Sequence, residues 1–558
     1  MSRKWHIRQE ISKDAGSVSG KELLFAILKD RGLVTPEDQE AFLHPVAPDT
    51  LTTRDVGINK TDLNKAISRI QKAIKEKESI VVYADYDADG ITAGAIMWET
   101  LWKLGARVMP YIPHRVDEGY GLSEKGIDAA REQYDPSLII TVDHGITAKA
   151  QVAYAQKLGI EVIVTDHHVK PDILPHCTIV HTTLLSGSGV SWFTATSLMK
   201  SLEKSDAVNE AELTALAAIG TIADILPLVG INRSIVKSGL DTIRKTKRTG
   251  LNALIEEAGI EKETLDTFSV SHMLSPRLNA MGRLDHAIDA LRLLCTHDAM
   301  KAKLLAQKLG LTNKERQQLT VDTVTHAKDL VSKPAKKLIF ISHETYNPGV
   351  IGLVAGRLVE EYWRPSVVLS IGDGFAKASA RSIPGFNIVE AIRSCSDLLV
   401  DVGGHPMAAG FTVAVKNIPL LKKRLEAIAE KQLDKETLTR TLYIDAQIPL
   451  AAVTQALWQE MRALSPFGFG NYEPLFATKN VHVTDVRVIG ATRKHLKLKV
   501  RSDETSGVLD AVAFNMADMY GALESDAPVD VAYTVDMNEW NGKRNLQLKI
   551  KDIIIPAT

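Results

Sequence analysis

The chain has 558 residues, more than one hydrophobic core usually supports, so we expect two to four domains. Its hydrophobic content of 45% and charged content of 24% are ordinary, and no apolar run reaches the roughly 20 residues of a membrane-spanning helix. The net charge of −1 excludes binding to a polyanion through bulk positive charge, so such binding would need basic patches or metal ions.

The three cysteines, Cys177, Cys295 and Cys395, are far apart and show no C-x-x-C spacing. This pattern argues against a disulfide framework or a thiolate zinc site and is typical of a reducing cytosol. The first residues, MSRKWHIRQE, have no apolar stretch behind their charges, so we predict no secretory signal. These features together predict a cytoplasmic protein that does not associate with membranes.

A polar N-terminal segment over residues 1–59 is followed, over residues 60–235, by apolar strands that alternate with helical stretches. The predicted strands are SIVVYA, ARVMPYI, SLIITV and EVIVT, and the helical patterns between them include TAGAIMWETLWKLG and TAKAQVAYAQKLG. Because strands and helices alternate, the pattern predicts an α/β domain with a doubly wound parallel sheet.

Residues 236–335 are mostly helical and predict a connector made of one long helix or a helix pair. A second, smaller α/β domain is predicted over residues 336–435, where the apolar strand KLIFIS opens it. Residues 440–558 alternate in short strands such as HLKLKVRS and LDAVAFN, with a hairpin turn at Asn541–Gly542. That C-terminal pattern predicts a small β-barrel.

Three of the predicted strands end in carboxylates and imidazoles, at the edge where open α/β sheets bind ligands. The residues at these ends, with a further acid after the apolar run LAAIGTIA, are Asp85, Asp87, Asp89, Asp143, His144, Asp166, His167, His168 and Asp224. Any one of the aspartates is more often a helix N-cap or a turn residue, and a lone histidine is more often structural. Their joint occurrence at three strand ends favours a functional cluster.

The segment DYDADG begins like a calcium-binding EF-hand loop, which has a glycine at its sixth position and a glutamate at its twelfth. Counting from Asp85, Gly90 is sixth but Ile96 is twelfth, and a strand precedes the segment, so a calcium loop is excluded. Clustered carboxylates repel and need a cation, and aspartate with histidine but no cysteine favours Mn²⁺ or Mg²⁺ over structural zinc. Two such ions about 4 Å apart would stabilise the attacking and leaving oxygens of a phosphoryl displacement.

The motifs DYDADG, VDHGI, VTDHH and GTIADILPL resemble, in this order, the four motifs of the DHH phosphoesterase superfamily. The segments SPRLNAMGRLDHA, HETYNPGVIGLVAGRL, SARSIPGFNIVEAI, GGHPMAAG and SPFGFGNYEPLF are similar to those of its single-strand-specific 5′→3′ DNA exonucleases. The resemblance covers most of the chain from about residue 80 onward. It implies a DHH phosphoesterase domain over residues 60–235, a DHHA1-type nucleic-acid-binding domain over residues 336–435 and an OB-fold single-strand-binding domain over residues 440–558.

Carried over to this sequence, the resemblance implies a catalytic site that holds two metal ions. Asp87 and Asp89 would each bind a metal ion, and Asp143 would bridge the two ions. His167 and Asp224 would complete the ligand set of the second ion.

Other residues in the same motifs would support this site. Asp85 occupies a position that supplies a neighbouring metal ligand in some superfamily members. His168 would orient its neighbours or stabilise the charge that develops on the phosphate, and Asp166 would fix a histidine tautomer. The sequence departs from the superfamily pattern at His144, where Asn or Cys is usual, and at residues 181–183, where HTT replaces the Asn-Pro of many relatives.

Basic residues in glycine-bearing loops predict contacts with a nucleic-acid backbone, because a guanidinium group forks onto phosphate oxygens without reading bases. The predicted barrel also has basic and aromatic residues on alternating strands, as OB folds use to bind single strands. The predicted nucleic-acid-binding residues are Arg115, Arg277, Arg283, Arg357, Ser379, Arg381, His405, Lys497 and Trp540. The alternatives are a surface salt bridge for each arginine, a tight turn with a buried histidine for His405 and a half-solvated strand around Lys497.

The residues and the resemblance together imply a metal-dependent exonuclease that degrades single-stranded DNA from its 5′ end and releases nucleoside 5′-monophosphates, in DNA repair and recombination. The implied cofactors are two divalent metal ions, Mn²⁺ or Mg²⁺. The implied partners of this monomer are single-stranded DNA, a single-strand-binding protein and a helicase. The alternatives are a phosphoesterase of short oligonucleotides or cyclic dinucleotides, which the C-terminal barrel argues against, and a non-catalytic replication or repair scaffold, which the intact motif acids argue against.

Overall fold

The computed structural model describes residues 3–10, 19–115, 118–119, 121–503, 507–523, 528–540 and 543–556, without the side chains of Trp540 and Lys543. The chain forms two compact units, a continuous one over Val46–Leu438 and a discontinuous one that combines Met1–Pro45 with Thr439–Thr558. The discontinuous unit begins with strand β1 (Lys4–Ile7) and helices α1 (Gly20–Asp30) and α2 (Pro36–Leu43). Among the described residues, no helix combines the length and apolarity needed to cross a membrane.

The continuous unit opens with an α/β domain. Its elements are α3 (Lys60–Glu76), β2 (Ser79–Ala84), α4 (Ala88–Lys103), β3 (Arg107–Tyr111), α5 (Glu124–Tyr134), β4 (Leu138–Val142), α6 (Lys149–Lys157), β5 (Glu161–Asp166), β6 (Thr178–His181), α7 (Gly187–Ser201) and α8 (Glu210–Ala223). The strands are all parallel, in the order β3-β2-β4-β5-β6, which confirms the predicted doubly wound sheet and adds β6 to it. All six residues of β2 are buried, because hydrophobic cores lie on both faces of a sheet of this kind.

A helical region follows and confirms the predicted connector. Its helices are α9 (Gly230–Ile243), α10 (Thr249–Glu257), α11 (Ser275–Leu284), α12 (Ile288–Cys295) and α13 (Ala299–Asp329), with a π-helical turn at Ser269–Leu274. Helix α13 has 31 residues, and the Asp298 carboxylate caps its N-terminus by accepting a hydrogen bond from the Lys301 amide at 3.0 Å.

The predicted second α/β domain is also confirmed. Its elements are β7 (Ile339–His343), α14 (Ile351–Tyr362), β8 (Ser366–Ile371), β9 (Phe375–Arg381), α15 (Ile388–Arg393), β10 (Leu399–His405), β11 (Ala408–Ala414) and α16 (Ile418–Gln432). The strand order is β10-β11-β9-β8-β7, in which only the β7–β8 pair is parallel. Strand β10 therefore forms one edge of this sheet.

The C-terminal part of the discontinuous unit is the predicted β-barrel. Its elements are β12 (Thr441–Ile444), β13 (Ala446–Gln447), α17 (Gln455–Arg462), β14 (Phe476–Ile489), β15 (His495–Arg501), β16 (Leu509–Ala513), α18 (Tyr520–Leu523), β17 (Val529–Trp540) and β18 (Lys543–Ile554). Strands β14-β15-β16-β18-β17 form a closed ring because β14 also pairs with β17. The predicted turn at Asn541–Gly542 lies outside the described residues.

The N-terminal segment, which the sequence does not connect with the barrel, packs against it. Strand β1 pairs in parallel with β12, and the amide of Lys4 donates to the carbonyl of Arg440 at 3.0 Å. The buried side chains of α1, including Leu24, Ile27 and Leu28, belong to the same hydrophobic core as the barrel strands. The two ends of the chain therefore build one unit.

Candidate metal centre and nucleic-acid interface

The carboxyl ends of β2, β4 and β5 lie side by side, because β2 pairs with β4 and β4 pairs with β5 in parallel register. The polar residues after these strands therefore meet at one edge of the sheet. Three groups have ligand atoms within 4.8 Å of one another, and they are Asp85 with Asp87 and Asp143, Asp89 with His167 and Asp224, and Asp143 with His167 and His168. Asp143 and His167 each belong to two groups and so connect the cluster.

Asp143 has a buried carboxylate whose Oδ1 atom lacks a hydrogen-bond donor among the described residues. Its side chain is almost fully buried, and its backbone has a φ of 67°, in the left-handed region that non-glycine residues seldom adopt. Among the described residues, none forms a hydrogen bond with its Oδ1 atom. Gly187 packs so closely that a Cβ atom there would collide with this carboxylate. A buried oxygen without a donor is costly, and a divalent cation would satisfy it, so the residues present fit a metal ion.

Helix N-termini hold the two aspartates of the DADG segment. The carboxylate of Asp89 accepts the amide N–H groups of Gly187 at 2.7 Å and Ser188 at 2.9 Å, at the start of α7. Asp87 is the N-cap of α4, and its Oδ1 accepts the amides of Asp89 and Gly90, both at 3.0 Å. Asp87 is therefore a helix cap, as the alternative interpretation of the sequence predicts. The cap uses one carboxylate oxygen and leaves the other for a cation.

His167 lies among three carboxylates. Its Nε2 atom is 3.1 Å from Oδ1 of Asp143, 3.6 Å from Oδ2 of Asp224 and 4.0 Å from Oδ2 of Asp89. Burial lowers the pKa of His167, which favours the neutral imidazole that metal ions require. The ring therefore has the position and the neutral form that a metal ligand needs.

Asp166 is satisfied by the protein and acts as a positioning residue. Its Oδ1 accepts the amides of His167 at 2.7 Å and His168 at 3.1 Å, as well as Nδ1–H of His168 at 2.8 Å, while its Oδ2 accepts the amide of Ile146 at 2.8 Å. Burial opposes ionisation of Asp166, but the His168 hydrogen bond and charge bring the pKa below its usual range. For His168, burial opposes the charged form, but Asp166 raises the pKa to about 9, so this imidazole is cationic at neutral pH.

The remaining acids of the cluster resist ionisation when no cation is bound. Burial, followed by repulsion from neighbouring carboxylates, raises the pKa of Asp85 and Asp143 well above the usual range and also raises the pKa of Asp87. The same two causes raise the pKa of Asp224, at the end of α8, to about 8. A divalent cation would replace protons on these groups, so metal binding and proton release are coupled.

The two departures from the superfamily pattern have structural roles. His144 is buried, and its Nε2–H donates to the carbonyl of Tyr83 at 3.0 Å, while burial lowers its pKa to about 4. His181 ends β6, and its Nε2–H donates to the carbonyl of His168 at 2.7 Å. Both side chains support backbone near the candidate ligands, and neither replaces one of them.

Four guanidinium groups, which we call the arginine cluster, gather beside the acids. They belong to Arg115, Arg283, Arg316 and Arg381. Burial is the main cause that lowers the pKa of Arg283 to about 10, and the positive charges of the other three members add to it, whereas the negative charge of Asp87 opposes it. Because these cations repel one another, an anion bound among them would be stabilised, and the influence of Asp87 on Arg283 indicates that it would lie near the candidate metal centre.

The protein orients the predicted members of the arginine cluster. Nη1 of Arg381 donates to the Ser379 hydroxyl at 3.1 Å, and the Arg115 guanidinium lies 5.1 Å from the centre of the Tyr86 ring. Nη1 of Arg283 also donates to the carbonyl of a residue at the β7–α14 loop, Gly349, at 2.9 Å. These contacts fix the side chains without neutralising their charge.

Arg316 is a member that the sequence does not reveal. It lies on α13, where the buried Asn313 accepts hydrogen bonds from its Nε at 3.1 Å and its Nη2 at 3.0 Å. In the sequence it stands within NKERQQ, which reads as an ordinary solvated helix face. Only the packing of α13 shows which side of the helix faces the other arginines.

Two predicted arginines have other partners. The guanidinium of Arg277 forms an ion pair with Glu257 and donates from Nη1 to the carbonyl of Met273 at 2.7 Å, which favours a packing role. Arg357 is exposed and forms a surface pair with Glu360 at 2.9 Å, one helical turn away. In the free protein both arginines therefore form ion pairs, which are largely buried for Arg277 and exposed for Arg357.

The remaining predicted contacts lie on exposed strands. His405 is exposed at the end of edge strand β10, opposite Ala408, which is opposite Arg381 on β9, so His405 and Arg381 share one face of that sheet. A two-residue turn does follow His405, but the side chain is exposed, so the alternative of a buried histidine is wrong. Lys497 is exposed on β15 of the barrel, and the side chain of Trp540 lies outside the description.

Three family models match the chain, namely the DHH family, N-terminal domain, over residues 79–221, the DHHA1 domain over residues 335–431 and the RecJ OB domain over residues 444–552. The single-stranded-DNA-specific exonuclease RecJ of Bacillus subtilis (strain 168) is 38% identical over 547 residues, which cover 96% of this chain and 68% of that protein.

Two solved structures are similar over the whole chain. The crystal structure of RecJ in complex with Mn²⁺ from Thermus thermophilus has a TM-score of 0.83 and 30% identity, and the match covers 100% of this chain and 80% of that one. The structure of the same protein with Mg²⁺ has a TM-score of 0.77 and 29% identity, and covers 100% of this chain and 79% of that one.

Proposed function

This chain belongs to the RecJ family of single-stranded-DNA-specific exonucleases, and on that premise we propose that it hydrolyses single-stranded DNA from the 5′ end and releases nucleoside 5′-monophosphates. The proposal rests on one observation, namely that a buried acid–histidine cluster lies next to the arginine cluster. The first can hold divalent metal ions, and the second can hold phosphates. The relatives' name supports the substrate, and their Mn²⁺ and Mg²⁺ complexes support the cofactor.

Five side chains would hold a pair of divalent ions, either Mn²⁺ or Mg²⁺. They are Asp87, Asp89, Asp143, His167 and Asp224, with Asp85 beside them. Such ions supply an activated water and neutralise charge on the scissile phosphate. The amides at the start of α7 keep the Asp89 carboxylate in place, which preorganises the ligand set.

His168 would add a positive charge to the same site. Its pKa of about 9 keeps it protonated at neutral pH, and its ring centre is 4.5 Å from that of His167. A fixed cation beside a candidate metal ligand would stabilise the negative charge that develops on a phosphate during displacement. Asp166 fixes the ring orientation through the Nδ1 hydrogen bond.

The arginine cluster would bind phosphates of the strand and bring the next bond to the acids. Guanidinium groups contact phosphate oxygens and carry no base preference, so one site can process any sequence. A terminal 5′ phosphate carries more negative charge than an internal diester, so four clustered cations favour a strand end over an internal position. This is the reason to propose exonucleolytic rather than internal cleavage.

An assay with end-labelled single strands tests this proposal. With Mn²⁺ or Mg²⁺, a 5′ label should appear as a mononucleotide at the earliest times, while a 3′ label should remain on progressively shorter strands. With EDTA, both substrates should stay intact. Early mononucleotide release from the 3′ label would reverse the proposed polarity, and activity only on dinucleotides would favour a small-substrate phosphoesterase.

The biological setting follows from the proposed substrate. A DNA-degrading enzyme with three free cysteines suits the cytoplasm, where we propose that it acts as a monomer in repair and recombination. Single strands there are produced by helicases and covered by single-strand-binding proteins, so both are proposed partners. Size-exclusion chromatography and co-purification with a helicase or a single-strand-binding protein would test these assignments.

A further inference from the structure

The motif SPFGFGNYEPLF in the barrel unit forms a rigid loop that the proposed reaction does not use. Its Asn471 is fully buried, and the side-chain amide donates to the carbonyls of Leu464 and Pro466, both at 2.8 Å. The Asn471 Oδ1 accepts a hydrogen bond from Arg31 of the N-terminal segment. The amide of Gly468 closes the turn by donating to the carbonyl of Asn471 at 2.9 Å. The loop therefore has one well-determined conformation.

This loop holds two aromatic rings in solvent. Phe469 is 48% exposed and Tyr472 is 63% exposed, and their ring centres are 6.3 Å apart in an edge-to-face arrangement. A flexible loop could fold such rings against the protein, whereas this loop keeps them outward. Rigid exposed aromatic side chains are the usual platform for stacking the bases of single strands.

Arg31 joins the loop to the edge of the barrel unit. Its Nη2 donates to the carbonyl of Tyr472 at 2.7 Å. Burial lowers the pKa of Arg31, the charge of Asp445 opposes this shift, and the charge of nearby Arg8 adds to it. The Arg8 guanidinium lies 5.9 Å from the centre of the Tyr443 ring, and His6 contacts the same ring edge-on at 5.4 Å. Tyr443 is 59% exposed, so the same unit presents a third aromatic ring to solvent, beside the Arg8 guanidinium.

The alternation of β1 explains why this surface is basic. Trp5 and Ile7 pack into a small core, while Lys4, His6 and Arg8 point to solvent. Two acids lie beside this surface. Asp445 accepts the Leu475 amide at 2.9 Å and offsets part of the charge of Arg8 and Arg31, while Asp30 accepts from Gln9 at 2.6 Å. We call this surface the edge platform, and its members are Lys4, His6, Arg8, Tyr443, Phe469 and Tyr472.

We propose that the edge platform binds single-stranded nucleic acid, with bases stacked on Tyr443, Phe469 and Tyr472 and phosphates paired with Lys4 and Arg8. The proposal rests on the proposed function and deepens it by adding a binding surface built partly from β1. That strand and Tyr443 precede the residues matched by the OB-domain model, which begin at residue 444. The alternation of cations with aromatic rings favours a nucleic acid over a protein partner, which would need complementary acids.

The test compares binding with cleavage in the full-length protein. Affinities for oligo-dT of about 3 and about 30 nucleotides, below and above the range of roughly 4–16 nucleotides that one OB fold occupies, are measured by fluorescence anisotropy in EDTA. Because each stacked base contributes about 1–3 kcal/mol, Tyr472→Ala and Tyr443→Ala should each weaken binding of the long strand by about 5- to 150-fold. Arg8→Ala should reduce the salt dependence of long-strand binding by about one phosphate contact. With Mn²⁺, kcat on the short strand should not change.

Matched controls separate stacking from loss of structure. Phe375→Ala removes a ring of similar exposure, 53%, from the continuous unit and should leave both affinities unchanged, while Tyr472→Phe should bind like the unsubstituted protein. Unchanged long-strand affinity in Tyr443→Ala, Phe469→Ala and Tyr472→Ala, in an enzyme that still degrades single strands, would overturn the proposal and leave this surface to a protein partner. Failure of the unsubstituted protein to degrade any single strand would instead overturn the proposed function.

Discussion

Asp143 is the residue on which the candidate metal centre most depends. It belongs to two of the three ligand groups, and its buried Oδ1 has no donor among the described residues. We expect Asp143→Asn to lower nuclease turnover by about 100- to 1,000-fold, the scale of removing one electrostatic contact to a transition state. The fold should be retained, because loss of one negative charge relieves repulsion among the acids.

Nuclease assays with Mn²⁺ and thermal unfolding of the same samples check this prediction. Asp373→Asn, at an exposed turn far along the chain, is the matched control and should leave both turnover and Tm unchanged. Near-normal activity of Asp143→Asn with Mn²⁺ would show that this aspartate does not bridge two ions.

Asp224 makes the stability of the metal-free protein depend on pH. Its pKa is raised to about 8 in the folded state, whereas an aspartate in the unfolded chain titrates near pH 3.9. The folded state therefore binds the extra proton, so its contribution to stability is complete below about pH 4 and is lost as pH rises toward 8. Differential scanning calorimetry in EDTA should show a Tm that falls between pH 5 and pH 8, more weakly in Asp224→Asn.

Divalent metal should reverse that pH effect. Because Mn²⁺ replaces protons on the acids, the rise in Tm on adding it should be larger at pH 8 than at pH 5. A Tm of the metal-free protein that is independent of pH over this range would contradict the raised pKa of Asp224. An equal metal effect at both pH values would contradict the coupling of metal binding to proton release.

At the scale of elements, the start of α7 shapes the metal centre. Gly187 supplies an amide to Asp89 and leaves space for the Asp143 carboxylate, where a Cβ atom would collide. We expect Gly187→Ala to weaken Mn²⁺ binding by at least tenfold without removing any ligand, as measured by isothermal titration calorimetry. Gly356→Ala, in the middle of α14 with open space around it, is the control and should leave Mn²⁺ affinity unchanged. Equal affinity in the two variants would show that the cluster tolerates displacement of Asp143.

Much of this architecture follows from local sequence patterns, because parallel strands bring their carboxyl ends to one edge. The β-branched run SIVVYA predicts β2 from its first residue to its last. The parallel pairing of β2, β4 and β5 then brings Asp85, Asp143 and Asp166, at the ends of these strands, to one edge of the sheet. Other elements depend on distant partners and cannot be read locally. Strand β1 has only four residues and is stabilised by pairing with β12, and Arg316 gains its role only through the packing of α13.

At the scale of the whole molecule, the barrel unit should provide affinity and the continuous unit the chemistry. We expect a variant limited to Val46–Leu438 to retain cleavage of short strands at saturation and to lose affinity for long ones, because it keeps the acids and loses the stacking and phosphate contacts of the barrel unit. Removing only the C-terminal part would leave α1 without its core partners, so both ends must be removed together. Filter binding with long and short oligonucleotides, and circular dichroism for folding, check this. Equal affinity of the two proteins for a long strand would exclude the barrel unit from binding.

Duplex DNA should be a poor substrate of the continuous unit. The acids lie at the ends of β2, β4 and β5, and the arginine cluster draws on α11, α13 and β9, so one strand must pass between groups from several elements. A paired 5′ end would have to separate first, which costs about 1.4 kcal/mol of stacking per step. We expect slow digestion of blunt duplexes and recovery with a 5′ single-stranded overhang, compared at matched salt. Similar initial rates on blunt duplexes and on duplexes with a 5′ overhang would indicate a site wide enough to admit paired DNA.

The discontinuous unit has a consequence for how the chain is made. Lys4 pairs with Thr441, so a ribosome must add more than about 400 residues after β1 before this strand meets its partner. At about 5–20 residues per second, this delay lasts roughly 20 to 90 seconds. During that time the apolar side chains of α1, such as Ile27 and Leu28, have no barrel to cover them, while the continuous unit can already fold. The nascent segment that contains β1 and α1 should therefore be the one that a chaperone protects, and stalling translation before residue 441 should leave it sensitive to protease.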